Sequence, residues 1–199
     1  MPVDRLPTSR AAVIGGGPAG LMAAEQLMLG GIPVDVYEAM PSLGRKFLMA
    51  GKGGMNITHS EAFGTFLQRY GTRSIELQAL LRAFDPAALR AWIHALGIET
   101  FIGSSGRVFP RDMKAAPLLR AWLHRLRAGG VRFHVRHRWL GWDDQGALRF
   151  NTPQGEQTAR VDTVVLALGG GQLESPRFRC RLGNTARATR CGDCGSTSC

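Results

Sequence analysis

Cysteine is missing from most of this chain: Cys180, Cys191, Cys194 and Cys199 all lie in the last twenty of 199 residues. The part before them therefore has no disulfide framework and no thiol chemistry. Long hydrophobic runs are missing too, and none reaches the about 18 apolar residues of a bilayer-spanning helix. Ala11 to Leu29 comes nearest, but Gly15-Gly16-Gly17-Pro18 and Glu25 interrupt it and no small-residue cleavage site follows. It is not read as a signal peptide, and a cytoplasmic protein without a membrane partner is the expectation. There is no lysine-rich block. The formal charge of +10 comes mostly from arginines spread along the chain, which reads as a compositional bias and argues against a nucleic-acid partner. No internal repeat, metal site, nucleophile or carboxylate pair stands out, so no catalytic residue is assigned.

What is present is an ordinary globular composition, 44% hydrophobic and 20% charged, long enough for one domain with at most a small appendage. Residues 11–16 read as a short buried strand entering a glycine turn, and Pro18 to Leu29 as a helix with its proline in the first turn. Gly30-Gly31 stops that helix, and residues 33–38 give a second strand. Strand, helix and strand in so short a span form a parallel βαβ unit. The glycine-rich segment Gly44 to Ser60 reads as a loop. Helical patterns follow at 61–69, 75–82, 86–96 and 115–128, with a small hairpin or loop at Glu99–Arg111. Val131 to Val135 alternates as a strand, and Arg138–Trp142, Ala147–Asn151 and Gln157–Arg160 suggest an antiparallel meander. The apolar run Val161 to Leu168 reads as a strand buried on both faces.

Gly15-Gly16-Gly17-Pro18-Ala19-Gly20 fits G-x-G-x-x-G. In that pattern one glycine makes the tight turn, the next lets backbone approach a pyrophosphate, and the third lets helix and strand pack. The helix N-terminus offers free N–H groups and a positive dipole end to phosphate. Glu38 ends the next strand about 20 residues on, where a carboxylate grips ribose hydroxyls and disfavours a 2′-phosphate. Arg45 and Lys46 follow as two cations able to neutralise phosphate. Gly51 to Asn56 adds bare backbone and an amide that can approach a planar ring. This second loop favours FAD over NAD.

Residues 13–24, 44–60, 106–110 and 164–171 together resemble one family, the bacterial flavoproteins called aminoacetone-oxidase-like, or NAD(P)/FAD-dependent oxidoreductases, of the glutathione-reductase-type FAD fold. The resemblance covers 11–171, and its specific part is Gly44 to Ser60. It implies that Gly15, Gly17, Pro18, Ala19 and Gly20 hold pyrophosphate and Glu38 the ribose. It places Arg45, Lys46, Gly53 and Asn56 along the FAD, has Trp139 offer its backbone to adenine, and has Ala167 and Gly169 close over the ADP moiety. NAD(P)H or a small-molecule substrate would be the further partner. His59 is the histidine nearest the flavin loop and a candidate proton relay. His134 and His137 read as the solvated face of an edge strand, His94 and His124 as surface residues.

The fold class expected is α/β: a three-layer Rossmann-like FAD-binding fold with a parallel sheet and an antiparallel meander, incomplete. Residues 1–171 form the FAD-binding domain, the N-terminal part of a larger flavoprotein. Residues 172–199 depart from the family pattern and read as a disordered or frameshifted tail, since codons for Gln172 to Arg177 permit a Ser-Trp-Ser-Pro-Arg reading in the neighbouring frame. The Cys191-Gly-Asp-Cys194 pair reads as incidental. Three functions stay open: a flavin oxidoreductase, an inactive truncated FAD-domain fragment, and a basic RNA-interacting protein.

Overall fold

The computed structural model describes residues 9–50 and 53–169. The elements run β1 (Ala11–Ile14), α1 (Pro18–Leu29), β2 (Val34–Glu38), α2 (Arg45–Ala50), β3 (Thr58–His59), α3 (Phe63–Gln68), α4 (Ser74–Ala83) and α5 (Pro86–Ala95). Then come β4 (Thr100–Ile102), β5 (Arg107–Pro110), α6 (Ala115–Ala128), β6 (Arg132–Val135), β7 (Arg138–Trp142), β8 (Leu148–Thr152), β9 (Gly155–Ala159) and β10 (Thr163–Leu166).

Four strands make one parallel sheet in the order β10-β1-β2-β6. β1 is wholly buried, and its alternation splits the core in two. Val13, with Val34 and Val36 of β2, packs against Leu21 and Ala24 of α1 and Leu119, Trp122 and Leu126 of α6. Ala12, Ile14 and Tyr37 face the other way, onto Leu148 and Phe150 of the antiparallel meander β7-β8-β9. Helices, parallel sheet and meander thus form the three layers of a Rossmann-like α/β fold. A second three-stranded sheet, β3-β5-β4, is antiparallel.

α1 begins where Pro18 sets the first helical φ and ends at Gly30, with Gly31 at φ +76° turning the chain toward β2. α5 starts on Asp85, whose carboxylate accepts the Ala88 N–H at 2.7 Å. Glu25 of α1 is 1% exposed and ties the helical layer together. It accepts the indole N–H groups of Trp92 (3.1 Å) and Trp122 (2.6 Å) and pairs with Arg125 at 2.9 Å.

Two expectations change. Gly44 to Ser60 is not all loop: Arg-Lys-Phe-Leu-Met-Ala, strong helix formers, wind into α2 as soon as the chain leaves Gly44. Thr58–His59 adds a short strand to β5. Nor is Val161 to Leu168 buried on both faces. β10 pairs only with β1 among the described residues, and Leu166 and Leu168 are 47% and 53% exposed. An apolar run specifies strand formation, but its burial depends on what lies beside it.

The Cys191/Cys194 pair and the whole of 172–199 lie outside the described residues. Among the described residues no helix is long and apolar enough to cross a membrane, and no group of three or more His, Asp or Glu could hold a metal ion.

Candidate nucleotide-binding site

All four parallel strands end at one edge of the sheet. From β1 the chain passes to β2 and β6 on one side and returns to β10 on the other. Where connections diverge in this way, a crevice opens beyond the carboxyl ends of the strands. Gly15 to Gly17 and Ala167 to Gly169 sit at this edge, held together by the Ala167 N–H donated to the Ile14 carbonyl at 2.8 Å.

The three glycines of the turn are required for different reasons. Gly15 has φ +114°, and a side-chain carbon on it would lie 2.3 Å from the Ala167 carbonyl oxygen. A carbon on Gly20 would lie 1.9 Å from the Gly15 carbonyl oxygen, so these two are demanded by backbone packing. Gly17 is different. Its backbone is extended (φ −82°, ψ 179°), and a carbon there would meet no protein atom within 4 Å. That face is open to a ligand. The first helical bond runs from Leu21 N–H to the Gly17 carbonyl at 2.9 Å, which leaves the N–H groups of Ala19 and Gly20 ahead of it. Pro18 and Ala19 are exposed at the tip.

Glu38 faces this loop. One carboxylate oxygen accepts the Gly16 N–H and the other the Met40 N–H, both at 2.8 Å. Each oxygen keeps a second lone pair for a further donor. Gly16 is also pinned by the Gly44 N–H to its carbonyl at 2.8 Å, and Leu43 lies across it. Gly44 takes φ +65°, which favours glycine, and a side-chain carbon on it would stand 2.6 Å from the Leu119 side chain of α6. That contact brings α2, with Arg45 and Lys46, to the crevice. The Lys46 Nζ lies 3.6 Å from where a side-chain carbon on Gly169 would stand.

Gly53 and Asn56 are exposed beyond α2. The segment is steadied by the Met55 N–H to the Met113 carbonyl at 3.0 Å and the Ile57 N–H to the Val108 carbonyl at 2.8 Å. Trp139 lies within β7, opposite Phe150, and its ring packs in the meander-side core. Its indole N–H is buried without a partner among the described residues. The backbone that reaches the strand ends at β6 is instead that of Arg136 and His137. Their N–H groups donate to the carbonyls of Met40 (3.1 Å) and Glu38 (2.9 Å). Sequence reading did not place either at the strand ends, since nothing local marks a turn there. Arg136 takes φ +58° without being glycine.

The histidines are mostly committed to structure. His59 donates from Nε2 to the Ser105 carbonyl (2.9 Å) and accepts the Glu61 N–H at Nδ1 (3.2 Å), so both ring nitrogens have local backbone partners. His134 is half-buried rather than a solvated edge residue. Its Nε2 donates to Asp35 at 2.7 Å while its ring stacks on Tyr37 at 4.6 Å. Phe150 covers the other face of Tyr37 at 4.2 Å, so a three-ring stack joins β6, β2 and β8. Asp35 also takes a bidentate contact from Arg132 at 2.8 and 2.5 Å. Burial alone would raise the Asp35 carboxyl, but the hydrogen bonds and charges of Arg132 and His134 outweigh it and hold it below the usual carboxylate range. Burial pushes the Tyr37 phenol up. His94 and His124 are exposed.

Solved structures share this fold at low identity. A flavocytochrome c3 fumarate reductase in its open conformation matches 84% of this chain at 18% identity and a TM-score of 0.59. A 3-ketosteroid-Δ4-(5α)-dehydrogenase from Rhodococcus jostii RHA1 matches 83% at 14% identity and 0.54. THI4 of Thermovibrio ammonificans matches 81% at 17% identity and 0.52. The matches cover 34%, 47% and 57% of those chains, so this chain spans well under two thirds of each. A carotenoid phi-ring synthase from Streptomyces griseus is 38% identical over 80 residues, 38% of this chain and 14% of its own. The model of the HI0933-like protein Rossmann domain matches residues 9–186, and with nearly the whole chain inside that match, the protein belongs to the HI0933-like family.

Proposed function

We propose that this chain is the FAD-binding domain of a flavin oxidoreductase of the aminoacetone-oxidase-like kind. The observation that carries the reading is the open face of Gly17 at the start of α1, with the Glu38 carboxylate beside it. Packing accounts for Gly15 and Gly20, but no protein atom accounts for Gly17. A diphosphate at a helix N-terminus does.

In this reading Gly15, Gly17, Pro18, Ala19 and Gly20 take the pyrophosphate, and the remaining lone pairs of Glu38 accept the ribose hydroxyls. Arg45 and Lys46 balance phosphate charge, Ala167 and Gly169 close the crevice beside β10, and Gly53 and Asn56 meet the ring system. Bound there, FAD would supply transfer of an electron pair between a small-molecule substrate and a partner such as NAD(P)H, while the protein contributes binding, orientation and exclusion of water.

Titration of the purified protein with FAD, followed by flavin absorbance and fluorescence, tests the reading. Saturable binding that Gly17→Ala abolishes supports it. Absence of saturable binding of both FAD and ADP to the folded wild type overturns it.

A further inference from the structure

Among the described residues, two other than glycine hold a left-handed backbone, Met113 (φ 55°) and Arg136 (φ 58°). The conformation is unfavourable for an ordinary residue relative to its right-handed alternative, and it persists where the surroundings or the function require that side chain. Met113 has a packing reason: its methyl group lies against Gly54, and its carbonyl accepts the Met55 N–H. Arg136 has none. Its side chain is exposed and makes no hydrogen bond or ion pair among the described residues. Glycine would serve the turn better, yet an arginine stands there.

Its position supplies the missing reason. Val135 is in register with Glu38 on the neighbouring strand, and Arg136 follows at once, its N–H fixed to the Met40 carbonyl at 3.1 Å. Along the strand ends, Gly17 lies over β1, Glu38 over β2 and Arg136 over β6. Neighbouring strands are about 4.8 Å apart, so the series spans about two spacings, comparable with the length of one nucleoside. With phosphate at Gly17 and sugar at Glu38, the base falls at Arg136.

We propose that Arg136 is a base-binding residue for the bound nucleotide, its guanidinium lying on the face of the purine ring. A planar, weakly hydrated cation stacks well on an aromatic face. Glu38 makes no ion pair with it: its carboxylate oxygens accept the Gly16 and Met40 N–H groups, and in the reading above their remaining lone pairs go to the ribose. The inference rests on the nucleotide-binding reading above.

The test uses the full chain with ADP, FAD and inorganic pyrophosphate as probes, and the variants Arg136→Gly and Arg136→Lys. Arg136→Gly relieves the backbone and melts at or above the wild-type temperature, while its affinity for ADP and FAD falls about 3- to 10-fold. Its affinity for pyrophosphate, which has no base, stays unchanged. Arg136→Lys keeps the charge, loses the plane and recovers less than half of the loss. Unchanged ADP binding by Arg136→Gly overturns the proposal, as does an equal loss for pyrophosphate, which would make the guanidinium a phosphate contact. A wild type that binds ADP while Arg136→Gly binds it equally well sinks this inference alone. A wild type that binds neither ADP nor FAD sinks the nucleotide reading and this inference together.

Discussion

Trp122 donates its indole N–H to the buried carboxylate of Glu25 across 2.6 Å. The same carboxylate holds Trp92 and Arg125, so one side chain of α1 fixes α5 and α6 to the helix whose N-terminus faces the crevice. Removing it leaves three donors unsatisfied, one of them charged. Glu25→Ala is expected to destabilise the domain by about 3–5 kcal/mol, and Glu25→Gln, which keeps an acceptor oxygen, by less. Urea unfolding followed by tryptophan fluorescence measures both. Equal midpoints for Glu25→Ala and wild type would refute the keystone role.

Gly20→Ala and Gly17→Ala separate fold from binding. The first forces a carbon onto the Gly15 carbonyl and should cost about 1–3 kcal/mol or more. The second meets only open space and should change stability by no more than about 0.5 kcal/mol, yet it should lose most nucleotide affinity. Thermal melts and ADP titrations of the pair check this, and a Gly17→Ala protein that binds ADP normally contradicts it.

Glu38 is expected to hold both the loop and the sugar. Glu38→Ala removes two charge-assisted hydrogen bonds to backbone, each worth about 1.5–3 kcal/mol, and should lower ADP affinity at least tenfold. Glu38→Gln keeps one acceptor oxygen and loses less. With the negative charge gone, it should also discriminate less against 2′,5′-ADP. Competition titrations give the ratio, and an unchanged ratio counts against the sugar contact.

Asp35 makes stability depend on acid. Its folded carboxyl is held below its unfolded value, with the hydrogen bonds and charges of Arg132 and His134 outweighing burial. Its contribution is therefore fully present above the unfolded carboxylate pKa of about 3.9 and is lost as pH falls through the lower folded value. Asp35→Asn should be less stable than wild type at neutral pH, with the difference shrinking below about pH 4. Denaturant midpoints measured from neutral to acid pH decide the matter: a constant difference would exclude this linkage.

Much of the fold was legible because its signals are local. The turn of Gly15 to Gly20, Pro18 at the helix start, and Asp85-Pro86 before α5 each specify their geometry within a few residues. The helices, the β4–β5 hairpin and the meander strands follow from periodicity and turn residues in the same way. The placing of Glu38 beside the glycine turn was legible too, from its spacing after the first strand. The positions of Arg136 and His137 were not, because they are set by the carbonyls of Met40 and Glu38, about a hundred residues away. The partner of His59 was hidden for the same kind of reason: its Nε2 meets the Ser105 carbonyl, 46 residues on.

By itself, the sequence determined the βαβ unit and the chemistry of its turn, since backbone freedom at glycine and the period of the apolar residues act over one or two turns of chain. Only the tertiary structure decided that β10 lies at the edge of the described sheet, that Glu25 is buried among partners 67 to 100 residues distant, and that Arg136 stands at the end of β6. Burial and long-range hydrogen bonding exist only once distant segments meet, so no local pattern carries them.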